Sequence, residues 1–309
     1  MELQRCYRFD VKDSAGIYVE ILIRTDVEEV WRRSQNPALH QQWDLRFSTI
    51  RYQPRASEAE PQKFLYETRI GFGLKISGEG ESKVARESAE GVRSTSLSFW
   101  SDDAKSLIRE GAGYWRYVPV ADGVRFLTWY DYRTRFGVAG KLADRYCFRP
   151  LMGWATAWSF DRLRLWIEDG VPPETTMRLA VIHGCARLAI AFTWLWHGLV
   201  PKLLFPSLDE KAMLLDAGLS VAVLPLVGLV EVAIGVLVLA LWRARVVFVL
   251  NVLAMVMALV GVSVQSPAYL WAAFNPVSLN LGMIALSVMG YLSSEKVPTA
   301  SRCLRRRSV

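Results

Sequence analysis

The sequence predicts an α+β domain, a curved antiparallel sheet around a long C-terminal helix, followed by an all-α bundle of four transmembrane helices. Three patterns predict this: strand-like alternation up to residue 136, a helical period over residues 149–168, and four long apolar runs after His183. The 309 residues are 52% hydrophobic and 22% charged, but these values average a charged first half with an apolar second half. We therefore expect one soluble and one membrane-embedded domain.

Alternating apolar and polar side chains define the strands of the first half. Residues 17–24 are the first predicted strand, after which Thr25 or Asp26 caps a helix over residues 27–34 and Asn36-Pro37 starts a short helix ending at Trp43. Turn residues separate six more predicted strands: 46–53, 63–70, 74–84, 92–100, 106–118 and 124–136.

A long amphipathic helix ends this domain. Within RPLMGWATAWSFDRLRLWIE, Leu151, Trp154, Trp158 and Leu163 recur at a helical spacing, with Arg162 and other charged residues between them. A sheet wrapped around this helix buries the tryptophan side and leaves a cavity between the two layers.

Side chains on the predicted inner faces are the candidate ligand-binding residues. They are mainly aromatic and comprise Trp43, Tyr66, Trp100, Glu110, Tyr114, Phe126, Tyr130 and Tyr132. An inward Glu110 is the first candidate acid or base, because an apolar pocket raises the pKa of a carboxyl group. The competing interpretation, which has more weight, is an aromatic core with Glu110 at a strand edge. His40 is placed on the surface, and no catalytic residue is assigned.

Four apolar runs, at residues 185–205, 219–241, 246–264 and 276–292, are each long enough to cross about 30 Å of hydrocarbon. Residues 268–274 are an interfacial segment or a plain loop. Arginines flank the first run, lie between the second and third, and follow the fourth, so the positive-inside rule puts both termini in the cytoplasm of a multi-pass cell-membrane protein. The absence of an apolar stretch in residues 1–10 agrees with this orientation.

Polar residues inside the runs predict an intramembrane cluster. Glu231 is costly in mid-membrane unless it is neutral, paired or hydrated, and helix rise places it near the depth of Asn251, between Arg187 and His197. Two interpretations are open, a quinone or proton site and a structural hydrogen-bond network between helices, with more weight on the network.

Several kinds of site are disfavoured. His183 and His197 are spaced like haem ligands, but only His40 remains as a further histidine, so haem is disfavoured and quinone is kept as a candidate cofactor. Cys6, Cys147, Cys185 and Cys303 show no metal-binding or disulfide spacing, so no metal is expected. The net charge of +7 comes from arginines near span ends, which indicates anionic lipid rather than nucleic acid as the partner.

Residues 1–170 resemble the START/SRPBCC helix-grip superfamily through the first strand with its following TDVEEVW, the NPALHQQWD segment and the GWATAWSFDRLRLWIE helix. This resemblance implies a cavity for a lipid, polyketide or other apolar molecule, without a shared catalytic residue. Residues 178–295 resemble the DoxX-like family through RLAIAFTWLWHGLVPKLLFP, GLVEVAIGVLVL and the WRAR turn. That resemblance implies a four-helix bundle associated with membrane oxidoreductase systems.

The predicted organisation is a cytosolic domain over residues 1–170, a linker over 171–182, a membrane domain over 183–295 and a basic cytoplasmic tail over 296–309. The favoured function is binding of an apolar small molecule, a lipid, isoprenoid or quinone-like compound, by the cytosolic domain next to membrane lipids. One alternative is a component of a quinone-linked membrane oxidoreductase with partner subunits, and another is an assembly subunit without its own ligand. Whether the protein is an enzyme stays open.

Overall fold

The computed structural model describes residues 16–57, 60–85, 88–273 and 275–307, so Cys6 and Phe274 lie outside the described residues. The chain divides into two compact units. The first unit holds the chain up to Thr176 together with the residues from Pro298 onward, and the second is Met177–Val297.

The described part of the first unit contains seven strands and, before the helix that continues into the second unit, four α-helices. The strands are β1 (Ile17–Ile23), β2 (Thr49–Tyr52), β3 (Gln62–Gly71), β4 (Leu74–Ala85), β5 (Arg93–Trp100), β6 (Ile108–Val120) and β7 (Gly123–Thr134). The helices are α1 (Val27–Gln35), α2 (Pro37–Trp43), α3 (Gly137–Ala143) and α4 (Arg149–Glu168), with a π-helical turn at Asp144–Phe148 joining the last two. Asp26 caps α1, since its carboxylate accepts from the N–H of Glu29 at 2.8 Å.

All strand pairs of the first unit are antiparallel, in the order β1-β7-β6-β5-β4-β3-β2. Helix α4 packs on β1 and covers one face of the sheet, here called the inner face. The predicted fold class is confirmed: a seven-stranded antiparallel sheet grips one long helix, and a helical unit with four membrane-compatible helices follows.

Aromatic rings fill the space between α4 and the inner face. Phe126 of β7 stacks on Phe160 of α4 with ring centroids 4.5 Å apart, and Trp43 meets Phe160 edge to face at 6.0 Å. Trp115 of β6 meets Phe126 edge to face at 5.5 Å. These four rings are buried, so this part of the interior is a packed core.

The C-terminal residues belong to the first unit. Leu304 and Glu20 exchange two backbone hydrogen bonds of 2.9 Å, so the segment pairs with the edge of β1. The N–H of Thr299 donates to Asp161 of α4 at 2.8 Å. Residues 298–307 thus belong to the first unit, with Leu304 paired to the edge of β1, and residues 173–182, within the predicted linker, are helical.

The second unit is helical. Its elements are α5 (Pro173–Gly198), which begins in the first unit, α6 (Leu208–Asp216), α7 (Leu224–Ala240), α8 (Val246–Gln265) and α9 (Pro276–Ser293). Among the described residues, four helical segments are long and apolar enough to span a membrane, Pro173–Leu204, Val221–Ala240, Val246–Gln265 and Pro276–Arg302, which confirms the predicted count. Between the last two lies a 3-10 turn at Pro267–Trp271, which overlaps the segment 268–274 predicted as interfacial or loop.

Candidate functional site

An apolar wall covers part of the inner face on β2 to β5. Its buried members are Ile50, Phe64 and Tyr66, and its partly buried members are Phe47, Leu97 and Phe99. Large apolar side chains inside a domain are usually fully buried, so the partly buried members mark where solvent reaches the interior. This inner wall is the candidate contact surface for an apolar ligand.

Two glycines of β4 shape the inner wall. A Cβ atom on Gly78 would overlap the ring of Tyr66, and one on Gly80 would overlap the ring of Phe64. The two aromatic rings therefore lie directly over the β4 backbone, which only glycine permits.

A buried ion pair lies next to the inner wall. The carboxylate of Asp44 accepts from Arg46 Nε at 2.9 Å and from Arg46 Nη2 at 2.7 Å, and its Oδ2 lies 2.9 Å from His40 Nε2. Burial by itself raises the pKa of Asp44, but Arg46 and His40 lower it more, so its pKa is well below the usual range. Asp44 is therefore a buried anion that fixes the guanidinium of Arg46.

Arg46 faces aromatic rings as well as Asp44. Its guanidinium carbon lies 5.6 Å from the ring centre of Phe47 and 5.4 Å from that of Tyr130. Burial raises the pKa of Tyr130, and its hydroxyl shares a hydrogen bond of 2.8 Å with Thr156 of α4. A cationic group and a neutral phenol thus adjoin the inner wall and suit a ligand with a hydrogen-bond-accepting head.

Tyr132 anchors the start of α4 to the sheet. Its hydroxyl donates to Asp144 at 2.7 Å, and Asp144 in turn accepts from Arg149 Nε at 2.9 Å. Arg149 also donates to Asp131 at 2.8 Å. These bonds fix the junction of β7, the π-helical turn and α4.

Arg162 is buried and donates hydrogen bonds to three backbone carbonyl oxygens. It donates to the carbonyls of Gln42 and Trp43 at the end of α2 and to the carbonyl of Pro173. Burial lowers the pKa of Arg162 to about 10. Its role is to satisfy the last carbonyls of α2, which have no partner within the helix.

In the second unit, Arg187 of α5 is fully buried, and its side chain contacts the turn between α7 and α8. Its guanidinium donates to the carbonyls of Val238 at 2.8 Å, Leu241 at 2.9 Å and Ala244 at 2.7 Å, and its Nε donates to His183 at 3.1 Å. Arg187 therefore satisfies the carbonyls that α7 leaves without helical partners.

Glu231 pairs with Lys202 of the π-helical turn that follows α5. Lys202 Nζ lies 3.0 Å from Glu231 and 2.8 Å from Glu210 of α6. The helices approach closely here, since a Cβ on Gly198 would overlap the carbonyl oxygen of Gly228. One lysine thus lies between two carboxylates in a buried position.

Asn251 belongs to a third polar group. Trp194 Nε1 donates to Asn251 Oδ1 at 2.7 Å, and Asn251 Nδ2 donates to Ser287 at 2.8 Å. These bonds connect α5, α8 and α9, so Asn251 makes polar contacts between three helices.

Comparison with known proteins adds family membership to this geometry. The DoxX-like family matches residues 191–288. The uncharacterized membrane protein YndG of Bacillus subtilis (strain 168) is 49% identical over 183 residues, which are 59% of this chain and 68% of YndG. The chain belongs to the same family as YndG and carries a DoxX-like domain at residues 191–288.

Solved structures with similar folds match the first half of this DoxX-like chain. A STAR-related lipid transfer protein of Xanthomonas axonopodis is 16% identical, with a TM-score of 0.38 over 50% of this chain and 96% of that one. The Zhui aromatase/cyclase of Streptomyces sp. R1128 is 10% identical, with a TM-score of 0.34 over 48% of this chain and 95% of that one.

The eight candidate ligand residues of this DoxX-like protein do not lie together. Trp43 and Phe126 are in the packed core, while Tyr66, Tyr130 and Tyr132 are on the inner face. Tyr114 stacks on Trp129 on the outer face, opposite to its strand neighbour Trp115. Glu110 pairs with Arg133 across the strands and is opposite Trp100 in register, so the inward placement of Trp100, Glu110 and Tyr114 is wrong.

The intramembrane cluster predicted for this DoxX-like protein is also corrected. Arg187, Glu231 and Asn251 bond to three different sets of partners. His197 lies near the second set, because its carbonyl accepts from Lys202 at 3.4 Å. The four residues therefore form separate contacts between helices rather than one site.

Sequence reasoning missed the Asp44–Arg46 pair and placed His40 on the surface, whereas His40 is buried beside Trp43 and Trp115. The segment HQQWDLRF contained a signal, since opposite charges two residues apart follow a tryptophan that ends a helix.

Among the described residues, no group of three or more histidine, cysteine, aspartate or glutamate residues is arranged to hold a metal ion.

Proposed function

We propose that the first unit binds an apolar small molecule, a lipid, isoprenoid or quinone-like compound, against the inner wall. The supporting observation is the partial exposure of Phe47, Leu97 and Phe99 on the face that otherwise forms the core. Covering apolar surface stabilises a complex by about 25 cal/mol per Å² before the cost of association. Arg46 and Tyr130 would contact a polar head group, which favours a compound with one polar end.

A cytoplasmic position of the first unit is part of this proposal. Residues 298–307 fold with residues 16–176, so both chain ends that leave the spans enter one compact unit. An even number of spans is compatible with this arrangement, and the arginines at the span ends favour the cytoplasmic side. The ligand would then come from the membrane's own lipids.

A polar substitution in the inner wall tests the binding function. We expect Leu97→Gln to lower the amount of co-purified apolar compound about tenfold, since a buried amide without a partner costs about 1–3 kcal/mol. The measurement is mass spectrometry of an organic extract of the intact protein, purified in mild detergent, with the compound quantified per chain.

Leu65→Gln is the matched control, because Leu65 is an exposed leucine on β3 of the same sheet. This variant should retain the compound. Equal amounts in both variants would assign the compound to another place, and no stoichiometric compound in the unmodified protein would reject the proposal.

A second candidate function, participation in quinone-linked electron transfer, is favoured by the buried Lys202 with Glu231 and Glu210. If this group binds a quinone, Glu231→Gln should lower the co-extracted quinone about tenfold, the effect of a lost charged hydrogen bond worth about 1.5 kcal/mol. Leu97→Gln serves as the control in the same extracts. Quinone loss from Leu97→Gln alone would place the quinone at the inner wall instead.

A further inference from the structure

One end of the first unit exposes an unusual concentration of large apolar side chains. Within the described part of this unit, nine such residues are more than half exposed. Eight of the nine lie in or beside the β3–β4 turn or in the segment from the end of β7 to the start of α4. The eight, here called the apolar end, are Ile70, Phe72, Leu74, Phe136, Val138, Leu142, Tyr146 and Leu151. The end of β3, the start of β4 and the end of β7 lie at the same end of the sheet.

Two phenylalanines of the apolar end have left-handed backbone conformations. Phe72, with φ of 50°, and Phe136, with φ of 65°, are the non-glycine residues with positive φ in the described part of the chain. Phe72 and Gly73 form the two-residue β3–β4 turn, where asparagine or glycine is the usual first residue. A left-handed backbone conformation is unfavourable for phenylalanine. The Phe72 ring is fully exposed, so packing of the ring within the first unit does not offset this cost.

Basic side chains lie in both segments of the apolar end. Arg69 and Lys75 flank the β3–β4 turn, and Lys141 and Arg145 lie between the exposed residues of the second segment; all four are exposed. The acid within the two segments, Asp144, is buried and bonded to Tyr132 and Arg149. Lys75 pairs with Glu67 at 3.3 Å, but each of the two segments still carries an excess of basic charge. Exposed rings next to an excess of basic charge are suited to an anionic lipid surface.

We propose that the apolar end inserts into the anionic interface of the bilayer that holds the four spans. The rings of Phe72 and Phe136 enter the boundary between head groups and acyl chains, and the four basic side chains contact lipid phosphates. A second copy of the chain fits this surface poorly, because two such ends would bring like charges together. The proposal concerns the lipid surface and does not depend on a ligand at the inner wall.

The variant Phe72→Asn tests the proposal without impairing the turn. Asparagine is favoured in the left-handed conformation, so the melting temperature should stay constant or rise. Loss of one buried phenyl ring should lower the docked fraction about tenfold or more. The measurement is hydrogen exchange of residues 69–75 and 135–146 in the full chain, reconstituted in nanodiscs of phosphatidylcholine with or without phosphatidylglycerol.

We expect protection of both segments in the anionic discs, loss of that protection in Phe72→Asn, and no loss in Val120→Asn, an exposed position in the hairpin at the opposite end of the sheet. Equal exchange in both lipids, or in Phe72→Asn and the unmodified protein, would overturn the proposal. Protection that needs added protein-free vesicles would assign the surface to a different membrane. Protection found only in discs with two chains would assign it to a second copy.

Discussion

Replacing Asp44 by alanine is expected to lower the free energy of unfolding of the first unit by about 3–5 kcal/mol. The substitution leaves the buried guanidinium of Arg46 without its carboxylate partner and removes the acceptor next to His40. The change should appear as faster hydrogen exchange in β7 and α4, since those elements share the core with α2. The spans should exchange as before.

Asp102→Ala is the control, because Asp102 is an exposed acid in the loop after β5. Adding Arg46→Met to Asp44→Ala should recover part of the stability, since a buried pair replaced by apolar groups costs less than a broken pair. Equal exchange in Asp44→Ala and Asp102→Ala would contradict the structural role of the ion pair.

The Asp44–Arg46 ion pair also predicts how the stability of the first unit changes at acidic pH. Because the folded-state pKa of Asp44 lies below the unfolded value of about 3.9, its stabilisation is present above that pH and is lost as the pH falls further. Stability of the unmodified first unit should thus fall more steeply below about pH 4 than that of Asp44→Ala. Denaturation followed at pH 3 and pH 6 measures the difference.

Replacing Arg187 by leucine is expected to destabilise the second unit by about 2–5 kcal/mol. The carbonyls of Val238, Leu241 and Ala244 would each lose a charged donor in a site that excludes water. Arg187→Lys should recover only part of this loss, because an ammonium group lacks the planar fork that reaches several acceptors at once. Thermal unfolding in mild detergent gives the ranking.

Arg243→Leu is a suitable control, since Arg243 is an exposed arginine in the same turn. It should leave the unfolding temperature nearly unchanged, while a drop as large as that of Arg187→Leu would indicate a general need for charge in the turn. Retained stability in Arg187→Leu would show that other groups satisfy the carbonyls.

The periodicity of the sequence was sufficient to predict the helices and strands, but not to predict which side chains of β6 face inward. The positions of α1, α4 and the four spans followed from capping residues, helical spacing and apolar length, although the first helical segment already begins at Pro173 and the fourth extends to Arg302. In β6, Tyr114, Trp115 and Tyr117 place aromatic rings on both faces, and the pairing shifts between Ile108 and Glu110. Alternation therefore did not identify the inner set, because a one-residue shift exchanges the two faces.

Contacts between residues that are far apart in the sequence could not be predicted either. Lys202 pairs with Glu231, which is 29 residues away, where a π-helical turn follows α5 and two glycines allow a close approach. Likewise, the pairing of Leu304 with Glu20 depends on an open strand edge almost the whole chain away. No sequence window short enough to show a period contains both partners.

The β1 edge pairing also sets the order of events during synthesis. Residues 16–176 leave the ribosome first, but Leu304, which pairs with Glu20 on the β1 edge, is translated only after the four spans. The first unit therefore gains this pairing only after the spans have been synthesised. A nascent chain released after the fourth span would lack the pairing at the β1 edge, and unpaired strand edges favour aggregation.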